Sequence, residues 1–114
     1  MSLEELLTAV KTLPDTVEFE DTMAVIENLY TFTPTAFTNG GMVNEAEQNS
    51  GSCKLFAFAQ LQGLSQQETL QCFGKYYRDD VLKHPDADDH QNIRNFMKTG
   101  WDGIQFESAP LRIK

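Results

Sequence analysis

The chain has 114 residues, 40% hydrophobic and 11% aromatic, enough apolar material for one domain with a single core and too little chain for two. Nine Lys and Arg against seventeen Asp and Glu give a formal net charge of −8. That surface repels nucleic-acid phosphates and anionic lipid, so neither nucleic acid nor a membrane is an expected partner, while a protein or a cation stays compatible. The longest apolar run, Leu55 to Leu61, falls far short of the ~20 residues that span a bilayer, and the amino end lacks a signal-peptide pattern, so a soluble protein made in the cytoplasm is expected.

The first element opens with Ser2-Leu3-Glu4-Glu5, a capping box in which the Ser hydroxyl and the Glu carboxylate each accept a backbone N–H of the other residue. Leu3, Leu6, Leu7 and Val10 form its apolar face, and Pro14 stops it near Leu13. Asp15 or Thr16 can start a second helix, with Phe19, Met23, Ile26 and Tyr30 at helical spacing. The alternation in "VEFE" would also suit a short strand, and helix is the expectation from about Phe19 onward.

After Tyr30 the texture changes to "TFTPTAFTNGGMVNEA". Asn39-Gly40 is a favoured central pair for a type I′ turn, which predicts a hairpin of Thr35–Thr38 against Gly41–Asn44. A polar loop, Glu45 to Gly51, leads to Ser52 as N-cap of "CKLFAFAQLQ", apolar on nearly every side and hence a buried helix. Gly63-Leu64 reads as a Schellman stop, and Ser65-Gln66-Gln67-Glu68 is a second capping box. The helix it opens carries Leu70, Phe73, Tyr77 and Val81 and ends before Pro85.

"HPDADDH" is then a loop whose Asp88 or Asp89 caps a last helix, with Ile93, Phe96 and Met97 inward and Gly100 at its end. Trp101-Asp102-Gly103 is a turn, with Trp101 expected to plug the core, and "IQF" is a closing strand. The sum is a single mainly helical α+β domain, about five helices with a small antiparallel sheet that includes the hairpin.

The run "VEFEDTMAVIENLY…FTPTAFTNGGMVNEAEQNSGSCKLFAFAQLQGLS…HPDADDHQNIRNFM…GWDGIQF" resembles the HopJ type III effector family over nearly the whole chain, Val17 to Phe106. The resemblance implies a bacterial protein injected into host cells by a type III system. It brings no catalytic residues to carry over.

Three readings of the chemistry follow from the residues. Cys53, if Ser52 caps its helix, sits at the first helical position, where free N–H groups and Lys54 would favour a thiolate. His84 or His90 would then serve as its base; the plain alternative is a small residue packed in the core. The cluster His84, Asp86, Asp88 and His90 has the donor types for a divalent cation, though loop and cap chemistry explain the same composition. Asn44, Glu45 and Asn49 lie beside glycines and could help bind a carboxylate or phosphate near the amino end of the Cys53 helix, or simply hydrogen-bond their own loop. No cofactor is implied. The favoured expectation is a small acidic protein-interaction module without catalytic activity, with the cysteine enzyme and the metal-binding module as alternatives.

Overall fold

A computed structural model describes residues 1–114. Helix α1, Leu3–Thr12, starts at the Ser2 capping box: the Glu5 N–H donates to Ser2 Oγ at 3.1 Å and the Ser2 N–H to Glu5 Oε1 at 3.0 Å. It buries Leu6 and Val10. Pro14 ends it and begins a single 3₁₀ turn, Pro14–Thr16, in place of an early start to the second helix. Helix α2, Phe19–Leu29, follows, with the Glu18 N–H donating to Asp21 Oδ2 at 3.1 Å. Its fully buried face is Thr22, Val25 and Ile26, with Phe19 and Met23 packed at the core's edge.

The chain passes directly from α2 into strand β1, Tyr30–Phe32, which pairs antiparallel with β5, Leu111–Ile113. Neither strand was expected from local pattern. The hairpin is present as β2, Phe37–Asn39, and β3, Met42–Asn44, shifted from the expected register. Asn39 pairs with Met42, so Gly40 and Gly41 occupy the turn with φ of +59° and +88°. Two glycines meet the two left-handed positions without strain, and Asn39 becomes a strand residue whose side chain is buried. Strand β4, Ile104–Phe106, joins β2 on its other side to give the order β3-β2-β4.

Helix α3, Ser50–Leu61, runs through the centre and buries Cys53, Leu55, Phe56, Ala57, Phe58 and Ala59. The Schellman stop forms as expected, with the Leu64 N–H donating to Ala59 O at 3.0 Å and the Gly63 N–H to Gln60 O at 3.2 Å. Phe56 is the hub of the core. Its ring lies 4.9 Å from Phe96, 5.5 Å from Phe73 and 6.1 Å from Phe37. Trp101 stands edge-on to Phe96 at 5.1 Å and donates its indole N–H to Leu64 O at 3.0 Å, closing the core as a plug.

Helix α4, Gln66–Gln71, keeps the Ser65–Glu68 capping box but ends after six residues. Gly74 then takes φ +63° where the backbone of Glu18 and Phe19 presses against it, and the chain resumes as a π-helical segment, Tyr76–Val81. Leu70, Phe73, Tyr77 and Val81 are nonetheless all buried. Helix α5, Gln91–Thr99, buries Ile93 and Phe96 and leaves Met97 exposed, contrary to its expected inward place. Its N-cap is His90 rather than an aspartate. The fold is thus α+β, predominantly helical, with two small antiparallel sheets.

Candidate functional site

Cys53 does not stand at the first helical position expected from Ser52. Asn49, not Ser52, is the N-cap of α3, so Cys53 is the fourth helical residue and its N–H already donates to Asn49 O at 3.0 Å. The sulfur is buried and donates to Thr35 O at 3.6 Å, and burial pushes the thiol up to about 11. Cys72, in the turn after α4, is buried too, and burial pushes it up to about 12. A thiol raised in this way is mostly protonated at neutral pH, the opposite of what a nucleophile needs.

The histidine loop is organised by Arg94. Its guanidinium donates to Asp89 O at 2.6 Å, Asp89 Oδ1 at 2.7 Å and Pro85 O at 3.3 Å, bending the loop around one cation. The hydrogen bond from Arg94 holds the Asp89 carboxyl below its ordinary range. His90 pairs through Nε2 with Asp80 Oδ2 at 3.0 Å, whereas His84, Asp86 and Asp88 are exposed. These residues do not converge: no three His, Cys, Asp or Glu side chains are grouped to hold a metal ion.

What the fold does bring together is the amino ends of α3 and α5, which open into one cleft of about 680 Å³. Asn49, Gly51 and Ser52 come from α3, and His90, Gln91, Asn92 and Ile93 from α5. Both N-cap residues are left-handed, Asn49 with φ 52° and His90 with φ 50°, and neither side chain caps its helix. An N-cap side chain ordinarily reaches the second or third helical N–H from an extended backbone, which these residues lack. The N–H groups of Ser50, Gly51, Ser52, Gln91, Asn92 and Ile93 consequently have no partner in the protein. Neither first turn holds an acidic side chain, whereas α1, α2 and α4 all do. The positive ends of two helix dipoles therefore face the cleft unopposed from within their own helices.

Phe19, Phe73, Tyr76 and Met42 provide the apolar part of the lining. Phe19 stacks on Phe73 at 6.2 Å and meets Tyr76 edge-on at 5.5 Å, and Tyr76 lies 5.4 Å from the His90 ring. The π-helical segment begins at Tyr76 and carries Asp80, the partner of His90, on its next turn. Such segments often mark functional positions. Arg78 anchors it by donating to Pro14 O at 3.1 Å and Val17 O at 2.9 Å while pairing with Glu18 at 2.6 Å.

Four asparagines hold the cleft in shape. Asn44 Oδ1 accepts from Asn49 Nδ2 at 2.7 Å and from Asn92 Nδ2 at 3.0 Å, tying the α3 N-cap to α5. Asn39 Nδ2 donates to Asn92 O at 2.8 Å and Asn92 Oδ1 at 3.0 Å. Of the sequence candidates, Asn49 lines the cleft, Asn44 is buried behind it, and Glu45 is exposed and outside it. His90 lines it as well, while His84 does not. The aromatic wall and the first turn of α5 carried no sequence signal beyond ordinary helical spacing, because the cleft is assembled from segments far apart in the chain.

No helix is long and apolar enough to cross a membrane. The cleft contains amide donors, hydroxyls of Ser52 and Tyr76 and aromatic faces, a set suited to holding an oxygen-bearing group beside an apolar one. No curated protein matches the chain. Among solved structures it is similar to the crystal structure of an unknown function protein, VPA0580, with 58% sequence identity and a TM-score of 0.97 over 100% of this chain and 95% of that one. The family model for HopJ type III effector protein matches residues 3–111, nearly the whole length, and the chain belongs to the HopJ type III effector family.

Proposed function

We propose that this protein is a non-catalytic recognition domain that docks a segment of a partner protein in the α3–α5 cleft. The segment brings a carboxylate or carbonyl oxygens to the free amides and an apolar or aromatic side chain to the Phe19–Tyr76 wall. The observation that carries this reading is the pairing, in one cleft, of two uncapped helix ends with an aromatic surface. Amide donors at a helix start favour negatively charged or electron-rich oxygens, and aromatic faces favour apolar contacts. The net charge of −8 is compatible with this, since charges farther than about 8 Å are largely screened at physiological salt whereas the amides act at contact.

The two buried thiols, both pushed up by burial, support a binding role over a covalent one. Membership of a type III effector family is compatible with this reading, in which the chain acts by binding after delivery into a host cell. The reading is tested by NMR titration of the ¹⁵N-labelled chain with an acetylated Gly-Ala-Phe peptide bearing a free carboxylate, and with the same peptide as its carboxamide. The acid is expected to move the amide resonances of Gly51, Ser52, Gln91 and Asn92, and the carboxamide to move them less. Unmoved resonances in both first turns at millimolar peptide would sink the proposal.

A further inference from the structure

We propose that Asn39 is a modification site kept closed by the fold: it deamidates when the chain unfolds, and a chain so modified does not return to the native state. This inference stands apart from the binding role of the cleft. Asn39 is the only asparagine in the chain followed by glycine. In a flexible Asn-Gly segment the glycine nitrogen can reach the asparagine Cγ, because no Cβ hinders the approach. A Cγ–N bond forms, the Cγ–Nδ2 bond breaks, and ammonia leaves carrying the proton of the glycine amide. Water then opens the resulting succinimide at either carbonyl, giving aspartate or isoaspartate at position 39 with no change of oxidation state.

The native structure blocks each part of this sequence. The attacking nitrogen is engaged, since the Gly40 N–H donates to Gly103 O at 3.0 Å. The leaving nitrogen is anchored by Asn92 O and Asn92 Oδ1. Asn39 is 0% exposed, which keeps water from it. On the Gly40 side the turn abuts α5, where a Cβ would stand 2.9 Å from Thr99 Oγ1.

The same contacts make the product incompatible with the fold. Where the Asn39 amide now donates to two oxygens of Asn92, a carboxylate would present a third oxygen with no proton to offer. Its other oxygen would replace Asn39 Oδ1, which is buried with no donor within reach. A buried anion among acceptors is strongly disfavoured. Isoaspartate lengthens the backbone at a residue paired with both Met42 and Ile104, and so breaks the register of the three-stranded sheet.

The test uses the full chain in mildly alkaline buffer, one sample native and one in urea, with peptide mapping by mass spectrometry over time. Conversion at Asn39 is expected to be at least about tenfold slower in the native sample, in keeping with exchange that needs opening of core structure. A short synthetic peptide spanning the Asn39-Gly40 pair, aged in the same two buffers, serves as the reference for the effect of urea on the intrinsic rate. The aged urea sample is then diluted to refold, beside one unfolded only briefly, and the folded fraction is isolated by size exclusion. Chains converted at position 39 are expected to be depleted from that fraction. Equal rates at Asn39 in native and unfolded samples, or converted chains folded in undiminished proportion, would overturn the proposal.

Discussion

Gly51 and Phe19 meet so closely that a Cβ on Gly51 would stand 2.9 Å from the Cζ of the Phe19 ring. The first turn of α3 and the aromatic wall of the cleft thus fit each other through the absence of a side chain. Gly51→Ala is expected to push the ring outward and weaken peptide binding in the cleft. Stability should change by less than about 1 kcal/mol, because the higher helix propensity of Ala offsets part of the crowding. Peptide titration alongside urea unfolding of the variant separates the two effects; unchanged affinity would show that the ring position does not govern the site.

Gly74 presents the opposite case, because what it faces is backbone. A Cβ there would lie 2.7 Å from Phe19 N and 2.8 Å from Glu18 Cα, at φ +63°. Neither main-chain segment can rotate away as a side chain can. Gly74→Ala is expected to lose about 2 kcal/mol or more, combining a left-handed penalty of roughly 1 kcal/mol with the clash. The urea midpoint reads this directly, and a wild-type midpoint would mean that the α4 break relaxes freely.

The thiols make stability depend on alkaline pH. Burial raises Cys53 from 9.0 to about 11 and Cys72 from 9.0 to about 12. Between those values the unfolded chain releases protons that the folded chain retains, so deprotonation favours unfolding. The contribution is fully present below pH 9 and is lost as pH rises through 11 to 12. Denaturation midpoints are expected to fall across that window, less steeply in a Cys53→Ser, Cys72→Ser double variant after allowing for its lower starting stability. At neutral pH a thiol reagent should leave the native protein nearly untouched and label both cysteines in urea; rapid native labelling would contradict the burial argument.

Local physics made three of the helix boundaries legible. Ser2 with Glu5, Ser65 with Glu68, and Gly63 with Leu64 each announce an end within four residues, and each forms as written. Strands β1 and β5 were not legible, since three-residue strands are defined by a partner some eighty residues away rather than by alternation. The break at Gly74 was hidden for a similar reason: its cause is the Glu18–Phe19 backbone, while the apolar spacing of Leu70, Phe73, Tyr77 and Val81 fits an unbroken helix. The polar loop around Asn44 and Asn49 does border the cleft, but Cys53 lies deeper in α3 than its sequence context suggests. The left-handed Asn49 starts α3 three residues earlier than the Ser52 hydroxyl suggests, and that shift removes the thiol from the helix end.

Asn44 connects the fold to the cleft, and its removal tests whether the site is held rather than merely present. Its Oδ1 is the shared acceptor for Asn49 on α3 and Asn92 on α5. Asn44→Ala leaves Asn92 Nδ2 buried without that acceptor, a loss of about 1–3 kcal/mol. For a domain of this size that corresponds to a fall in Tm of roughly 4 °C or more. The Asn49 side chain is solvent-accessible and can turn to water once released, so the first turn of α3 should loosen more than the core. Hydrogen exchange is therefore expected to quicken at Cys53 and Lys54, the first bonded amides of α3, while Phe56 to Ala59 retain protection close to the global limit. A uniform loss of protection along α3 would instead make Asn44 a general core residue, with no special hold on the cleft.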